Sequence, residues 1–237
     1  MKLLNTWLNL AAIWPELITD NCPLITDKDI QIYAEAHTSA ESELLQKLNR
    51  QTHVQTLQPR MLSGHLQGQF LAMISRMLRP DRILEIGTFT GYSALCLAEG
   101  LTETGRLTTI EVNEERETFT RSFLEQSPRS SQIDFIIGDA AEIIPNLNDT
   151  FDLVFIDADK LRCSLYYDLV FNKTRIGGVI ITDNVLWDGK VVDNSKKPNK
   201  DTQALLDFNS KIQNDPRVSN VLLPLRDGLM MVTKNVD

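Results

Sequence analysis

Cysteine is scarce in this chain of 237 residues, and the few cysteines form no pattern. Cys22, Cys96 and Cys163 are odd in number, lie far apart and include no CxxC pair. A disulfide framework and a cysteine-based zinc site are therefore not expected. We predict reduced thiols in a cytoplasmic protein.

Positive charge and long apolar runs are also in short supply. Lys and Arg number 24 against 32 Asp and Glu, a formal net charge of −8. This balance disfavours general nucleic-acid binding but permits a local basic patch. No run reaches the roughly 18 apolar residues that a membrane-spanning helix needs, so we expect no membrane insertion. Apolar residues within 3–17, including Trp7 and Trp14, instead predict an amphipathic helix that packs on the domain or on a partner subunit.

The remaining composition is that of one ordinary globular domain, with 42% hydrophobic and 24% charged residues. Residues 1–60 contain only helical patterns, and we predict that they extend a core formed by 61–237. Residues 38–41, Thr-Ser-Ala-Glu, have the spacing of a capping box before a helix at 42–49. A further helix at 67–78 is predicted to pack through an apolar stripe of Phe70, Leu71, Ile74, Met77 and Leu78.

Strand and helix patterns alternate from Arg82 onward, which predicts a parallel sheet with right-handed crossovers. The last two strand-like runs are separated only by a short turn, so we expect them to pair antiparallel. The predicted strands are 82–86, 107–111, 133–137, 153–156, 179–182, 218–223 and 229–233, and the predicted helices are 92–99, 114–126, 141–147, 164–171 and 202–214.

A glycine turn follows the first predicted strand and opens a helix. Gly87 and Gly91 let the backbone turn tightly and approach a ligand. Glu111 lies at the end of the second strand, where an acid accepts hydrogen bonds from two ribose hydroxyls. The glycine turn and Glu111 together indicate a nucleoside cofactor. The spacing lacks the G-x-G-x-x-G of dinucleotide folds, and Glu85 would repel a pyrophosphate. A cationic cofactor, S-adenosylmethionine, is therefore favoured over NAD.

Oxygen-bearing side chains follow two later strands. Asp157 ends one strand, and Asp183 and Asn184 end the next, where ligands bind in open α/β sheets. Because no histidine or thiol lies near them in sequence, the set suits Mg²⁺, Ca²⁺ or Mn²⁺ better than zinc. Lys160 lies beside this set and is a candidate for the chemistry. Asp183–Asn184 as a simple Asx turn and Lys160 as a solvated lysine are the structural alternatives.

Ordered motifs over residues 55 to 234 resemble those of the cation-dependent class I O-methyltransferases, the group of caffeoyl-CoA and catechol O-methyltransferases. The segments that carry the resemblance are Met61-Leu62-Ser63 with Gln67-Gly68-Gln69, LEIGTFTGYSAL, IEVNEE, FIDADK, TDNVLWDG and DPRV with LPLRDGL. The resemblance implies a Rossmann-like fold, with a mostly parallel seven-stranded sheet, helices on both faces and extra N-terminal helices. It also implies a homodimer. Gln67, where many members have Glu, and Asp188, where plant enzymes have Asn, depart from the pattern.

The resemblance also implies roles for individual residues. Lys160 would be the catalytic residue, and Asp157, Asp183 and Asn184 would hold the divalent cation. The S-adenosylmethionine pocket would be lined by Ser63, Glu85, Gly87, Thr88, Ser93, Glu111, Ala140 and Asp159.

The implied reaction is methyl transfer to one of two adjacent hydroxyls on a small aromatic molecule, a catechol or a hydroxycinnamoyl-type compound. As a base, Lys160 would need a depressed pKa. One alternative is methylation of hydroxyuridine in tRNA, for which a short basic loop is available. More remote alternatives are an NAD-dependent oxidoreductase and a cofactor-binding protein without catalysis. The loop lysines are Lys190, Lys196, Lys197 and Lys200.

Overall fold

Seven strands form the central sheet in the computed structural model, which describes residues 28–195 and 197–237. The strands are β1 (Arg82–Ile86), β2 (Arg106–Glu111), β3 (Ile133–Ile137), β4 (Phe151–Ile156), β5 (Thr174–Asp183), β6 (Val218–Leu223) and β7 (Leu229–Lys234).

The strands lie in the order β3-β2-β1-β4-β5-β7-β6. The first five pair in parallel, whereas β7 is antiparallel to both β5 and β6. The strand order reverses between β1 and β4, and ligands of open α/β sheets bind beyond the carboxyl ends of strands at such a switch point. The predicted Rossmann-like, mostly parallel seven-stranded fold is confirmed.

Helices cover both faces of the sheet because its strands are apolar on both sides. One buried cluster joins α2 to α5 with the side chains of Ile83, Leu107 and Phe155, and the other joins α6 to α8 with those of Leu84 and Val154. The helices are α1 (Lys28–Ala36), α2 (Glu43–Gln55), α3 (Gly64–Leu78), α4 (Tyr92–Ala98), α5 (Glu117–Leu124), α6 (Ala140–Ile143), α7 (Cys163–Phe171) and α8 (Lys200–Gln213).

The predicted apolar stripe of α3 is wrong at Met77, which is 74% exposed. The rest of the stripe is confirmed, since Leu71 is buried and Phe70, Ile74 and Leu78 pack against the core. The buried face also contains Gly68, Ala72 and Ser75, because α3 packs closely on α4. A Cβ at Gly68 would lie 2.5 Å from Cε1 of Tyr92. Small residues at this contact are therefore required by the approach of the two helices.

The predicted capping box is also wrong. Ser42 is the N-cap of α2, and its hydroxyl accepts a hydrogen bond of 3.3 Å from the Leu45 amide. The side chain of Glu41 accepts a hydrogen bond from the Tyr92 hydroxyl on α4. Glu41 therefore makes a tertiary contact instead of a local one.

The start of one strand differs from the sequence prediction. Strand β5 begins at Thr174, five residues before the predicted start, since its pairing with β4 passes through a register shift that includes Gly177 and Gly178. No helix among the described residues is long and apolar enough to cross a membrane. The predicted amphipathic helix with Trp7 and Trp14 lies outside the described residues, as do Cys22 and Lys196.

Candidate active site

The glycine turn after β1 lies against the end of β4. Gly87 and Gly91 have φ values of +97° and +92°, a backbone region that favours glycine. A Cβ at Gly87 would lie 1.9 Å from the carbonyl oxygen of Asp157, so this approach tolerates no side chain. The amides of Gly87 and Thr88 donate hydrogen bonds of 2.9 and 3.2 Å to the carbonyl oxygen of Ile110 on β2. The turn is thereby fixed at the switch point.

One cleft opens beside this turn, and it joins residues of both predicted halves of the site. The segment before α3 forms one wall, and the glycine turn with the start of α4 forms the other. The lining residues include five predicted site residues (Ser63, Gly87, Thr88, Ser93 and Asp157) together with Met61, Leu62, Phe89 and Tyr92.

Glu85 is fully buried next to this cleft. Burial raises its pKa to about 8, although the hydroxyls of Ser93 and Thr109 oppose the shift by hydrogen bonding. Thr109 donates to Oε2, whereas Oε1 has no hydrogen-bond partner. A buried carboxyl oxygen without a partner is costly and points to a missing ligand group. At neutral pH the Glu85 carboxyl is therefore mostly protonated and does not carry the negative charge that the sequence predicts for it.

Glu111 holds the glycine turn from the end of β2. Its Oε2 accepts a 2.8 Å hydrogen bond from the Phe89 amide, and its Oε1 accepts one of 2.9 Å from the Asn113 amide. Arg116 lies 3.9 Å from Oε1 and stacks over the Phe89 ring at 4.4 Å. Phe89 has a φ of 50°, and these contacts hold the residue in that conformation.

Ala140 and Asp159 lie outside the residues that line the cleft. Ala140 is the buried first residue of α6, where the Asp139 side chain caps the helix. Asp159 is exposed, and its carboxylate accepts a 3.1 Å hydrogen bond from the Leu161 amide. Arg162 donates a 2.9 Å hydrogen bond to Asp139 and so ties the segment after Asp159 to the start of α6.

Lys160 lies between the ends of β4 and β5. Its Nζ is 3.0 Å from Oδ1 of Asp157 and 3.3 Å from the carbonyl oxygen of Asp183. Burial lowers the pKa of Lys160, but the carboxylates of Asp157 and Asp183 outweigh this effect, and the pKa lies above its ordinary value. Lys160 is therefore a largely buried ammonium, and its raised pKa is the opposite of the depressed pKa that a base would need.

Asp183 is 3% exposed and lies in a dense set of polar contacts. Its Oδ2 accepts a 2.6 Å hydrogen bond from Nε2 of Gln67, and its Oδ1 accepts one of 2.7 Å from the backbone amide of Asn184. Burial and the charge of Asp157 raise the pKa of Asp183 to about 6, against the opposing effect of Lys160. The Lys160 ammonium thus contacts the carboxylate of Asp157 directly and acts on the carboxylate of Asp183 through its charge.

The donor set at this edge is two carboxylates and one amide. Within the ranges 28–195 and 197–237, no group of three or more His, Cys, Asp or Glu side chains is arranged to hold a metal ion. Asn184 has a φ of 60°, and its Nδ2 donates a 3.3 Å hydrogen bond to Oδ2 of Asp227. Its amide oxygen is the end that remains available to a cation.

The turn between β6 and β7 contributes residues that sequence reasoning did not assign to the site. Arg226 donates hydrogen bonds to the carbonyl oxygens of Leu62, at 3.0 Å, and of Ser63, and it lies 3.4 Å from Oε1 of Gln67. The motif LPLRDGL belonged to the sequence resemblance, but the spacing alone gave no role for Arg226.

The loop after β5 is partly engaged with itself. Nζ of Lys190 lies 3.4 Å from Oδ2 of Asp188 and 5.1 Å from the centre of the Trp187 ring. The indole N–H of Trp187 is buried and has no hydrogen-bond partner. One of the four lysines proposed as a basic patch is therefore already paired with an acid.

The model of the O-methyltransferase family matches residues 35–235 of this chain. The chain belongs to this family. Probable caffeoyl-CoA O-methyltransferase 2 of Dictyostelium discoideum is 33% identical over 204 residues, which cover 83% of this chain and 86% of that protein. Catechol O-methyltransferase domain-containing protein 1 of Mus musculus is 38% identical over 173 residues, which cover 71% of this chain and 66% of the mouse protein.

Solved structures agree with this assignment. An O-methyltransferase of Streptomyces achromogenes involved in tomaymycin synthesis, solved in complex with S-adenosylmethionine, matches with a TM-score of 0.80 and 28% identity. The match covers 91% of this chain and 100% of that one. The predicted enzyme class, an S-adenosylmethionine-dependent O-methyltransferase, is confirmed, and the alternative of an NAD-dependent oxidoreductase is disfavoured.

Proposed function

We propose that this O-methyltransferase requires a divalent cation and methylates one of two adjacent hydroxyls on a small aromatic molecule. The observation that carries the proposal is the position of Lys160, whose ammonium contacts Asp157 and Asp183 at the ends of β4 and β5. Asp157 also lines the cleft beside the glycine turn. A largely buried lysine, two carboxylates and a cofactor cleft therefore share one edge of the sheet.

The cleft side of this edge suits S-adenosylmethionine. The unpartnered Oε1 of Glu85 can accept a hydrogen bond from a cationic ligand group, which would also stabilise the ionised carboxylate. Glu111 lies at the end of β2, where an acid receives ribose hydroxyls. The close approach of Gly87 to Asp157 brings the backbone near a ligand without an intervening side chain. We propose that the S-adenosylmethionine pocket is also lined by Ser63, Thr88, Ser93, Ala140 and Asp159.

The acceptor side suits a hard divalent cation, with Mg²⁺ preferred and Ca²⁺ or Mn²⁺ also compatible with oxygen ligands. Asp157, Asp183 and Asn184 would hold it. Among the described residues, Lys160 and Arg226 are cations that act on Asp183, and Asp157, Asp183 and Asp227 give three carboxylates at the same edge. A divalent cation would balance this excess of negative charge. When bound, the cation supplies Lewis-acid polarisation of the acceptor hydroxyls.

Lys160 would act on the acceptor oxygen. Its buried ammonium is held in place by Asp157 and by the Asp183 carbonyl, so it can stabilise a phenolate without reorganising. Because its Nζ is fixed by Asp157 and by the Asp183 carbonyl in the protonated form that donates to both, we favour electrostatic stabilisation over proton acceptance as its role.

The names of the relatives support the acceptor class. Catechol and caffeoyl groups, which appear in the names of the mouse and Dictyostelium proteins, both have two adjacent ring hydroxyls. Apolar side chains at the site also suit an aromatic ring: Met61 lines the cleft, and Leu161, next to Lys160, is 51% exposed.

A methyl-transfer screen tests the proposal. Purified protein, S-adenosylmethionine and Mg²⁺ would be incubated with a catechol, a hydroxycinnamoyl-CoA ester or hydroxyuridine tRNA, and the methylated product would be measured by mass spectrometry. We expect transfer to one of the two aromatic classes and loss of transfer after full chelation of divalent metal. Activity that survives chelation would exclude the cation, and transfer only to tRNA would replace the aromatic acceptor.

A further inference from the structure

Two consecutive residues of the turn between β6 and β7 connect to proposed cation ligands, one of them directly and the other through Gln67. Arg226 contacts Gln67, which donates to Asp183, and Asp227 directly accepts a hydrogen bond from Asn184. Asp227 is neither a cation ligand nor a cofactor-binding residue in the sequence prediction. Its carboxylate nevertheless contacts a proposed cation ligand.

Asp227 accepts hydrogen bonds on both carboxylate oxygens. Its Oδ2 accepts from Nδ2 of Asn184 at 3.3 Å, and its Oδ1 accepts from the backbone amide of Asp188 at 2.5 Å. An ionised carboxylate has no hydrogen to donate, so only the NH₂ end of the Asn184 amide can face it favourably. The contact thus fixes which end of the amide points away from Asp227.

The loop that Asp227 holds is conformationally strained. Asn184, Trp187 and Asp188 have φ values of 60°, 53° and 53°, a region that non-glycine residues occupy only when their surroundings enforce it. The enforcing contacts come from the same turn. The carbonyl oxygen of Asp227 accepts a 2.9 Å hydrogen bond from the Leu186 amide, and that of Gly228 accepts one of 3.2 Å from the Val185 amide.

We propose that Asp227 is a positioning residue for the divalent cation: it holds the Asn184 amide by its nitrogen, so that the amide oxygen is presented to the metal. This inference rests on the proposed function, because it requires a cation at Asp157, Asp183 and Asn184. Asp227 itself does not coordinate the cation. Groups that orient a metal ligand typically affect affinity by about 10- to 100-fold when they are removed.

Mn²⁺ binding to metal-stripped full-length protein, followed by electron paramagnetic resonance without cofactor or acceptor, tests this directly. Asp227→Asn removes the obligate acceptor, so we expect Mn²⁺ affinity to fall by about 10- to 100-fold. Asp188→Asn is the matched control, since it removes one negative charge from the same loop and leaves the Asn184–Asp227 contact intact. It should change the affinity by less than about threefold, in keeping with a weakly effective exposed charge.

The same substitution in an Asn184→Asp background distinguishes an effect of amide orientation from general structural damage. In Asn184→Asp the side chain presents an oxygen in either orientation, so adding Asp227→Asn should not weaken Mn²⁺ binding further. S-adenosylmethionine affinity, measured by calorimetry, and the melting temperature report whether each variant is folded. Should Asp227→Asn fail to fold, Asp227→Ser replaces it, because a hydroxyl can still accept from the Asp188 amide but does not reach Asn184.

The outcomes separate the inference from the proposed function. Wild-type protein that binds no Mn²⁺ would overturn the cation requirement and the inference with it. Mn²⁺ binding by the wild type with equal affinity in Asp227→Asn and Asp188→Asn would overturn the inference alone. An equal loss in the wild-type and Asn184→Asp backgrounds would also overturn it, since the effect would then not depend on an amide.

Discussion

The side-chain amide of Gln67 donates a 2.6 Å hydrogen bond to Oδ2 of Asp183, although the two residues are 116 positions apart. Gln67 is fully buried, and its Oε1 lies 3.4 Å from Nη1 of Arg226. The Gln67 amide therefore connects Arg226 to Asp183: its oxygen accepts from the guanidinium, and its nitrogen donates to the carboxylate. A carboxylate at this position could satisfy Arg226 but not Asp183.

Replacing Gln67 by Glu should destabilise the protein without bound metal. The new carboxylate would face the carboxylate of Asp183. The pKa of Asp183 is already raised to about 6 by burial and by the charge of Asp157. We expect the free energy of unfolding at pH 8 to fall by about 1–3 kcal/mol, the usual cost of a buried group that loses its partner. Urea denaturation measures it, with Gln69→Glu on the same helix as the control. Equal losses in both variants would mean that the Asp183 contact is not responsible.

Replacing Glu85 by Gln should flatten the pH dependence of stability. The folded-state pKa of Glu85 is about 8, raised from its ordinary value near 4.5 by burial. Between those values the unfolded chain releases a proton that the folded chain retains, so stability is fully present below about pH 4.5 and falls as pH rises toward 8. Glu85→Gln should remove a slope of up to about 1.4 kcal/mol per pH unit. Urea denaturation at pH 5.5, 6.5 and 7.5 measures the slope, and an unchanged slope would contradict the assignment.

Local patterns were sufficient to predict the strands that carry the site. Glu85, Glu111, Asp157 and Asp183 each follow or end an apolar run of strand length, and each lies at the carboxyl end of a strand in the sheet. Alternation of strands and helices then placed these ends along one edge. This part of the prediction depended only on neighbours in sequence.

Contacts between distant segments could not be predicted in the same way. Arg226 reaches Leu62 and Ser63 across more than 160 positions, and no local spacing encodes that contact. The face of α3 was misjudged for a related reason. Leu71 is buried as predicted, but the close approach of α4 at Gly68 also determines which side of α3 faces the core, and Met77 is exposed.

Replacing Glu111 by Gln should weaken S-adenosylmethionine binding but not metal binding. The carboxylate holds the glycine turn through the amides of Phe89 and Asn113, and in its proposed role it also accepts from ribose hydroxyls, whereas Gln can accept on one oxygen only. Losing one charge-assisted bond to a ribose hydroxyl, at about 1.5 kcal/mol, corresponds to about a tenfold rise in the cofactor Kd. Calorimetry measures it, and Glu114→Gln, an exposed neighbour, is the control. A cofactor Kd within twofold of the wild type would remove Glu111 from the binding site.

Two substitutions of Lys160 distinguish electrostatic stabilisation from proton acceptance. Lys160→Met removes the charge between Asp157 and Asp183 and should lower kcat by about 10²- to 10⁴-fold, with the Kd for S-adenosylmethionine within about threefold of the wild type. Lys160→Arg keeps a positive charge but cannot accept a proton at accessible pH. If the ammonium stabilises a phenolate, the Arg variant should retain markedly more activity than the Met variant. Equal and severe losses in both would instead assign proton acceptance to Lys160. Lys211→Met, which removes an ammonium paired with Asp168, serves as the control for loss of a lysine charge.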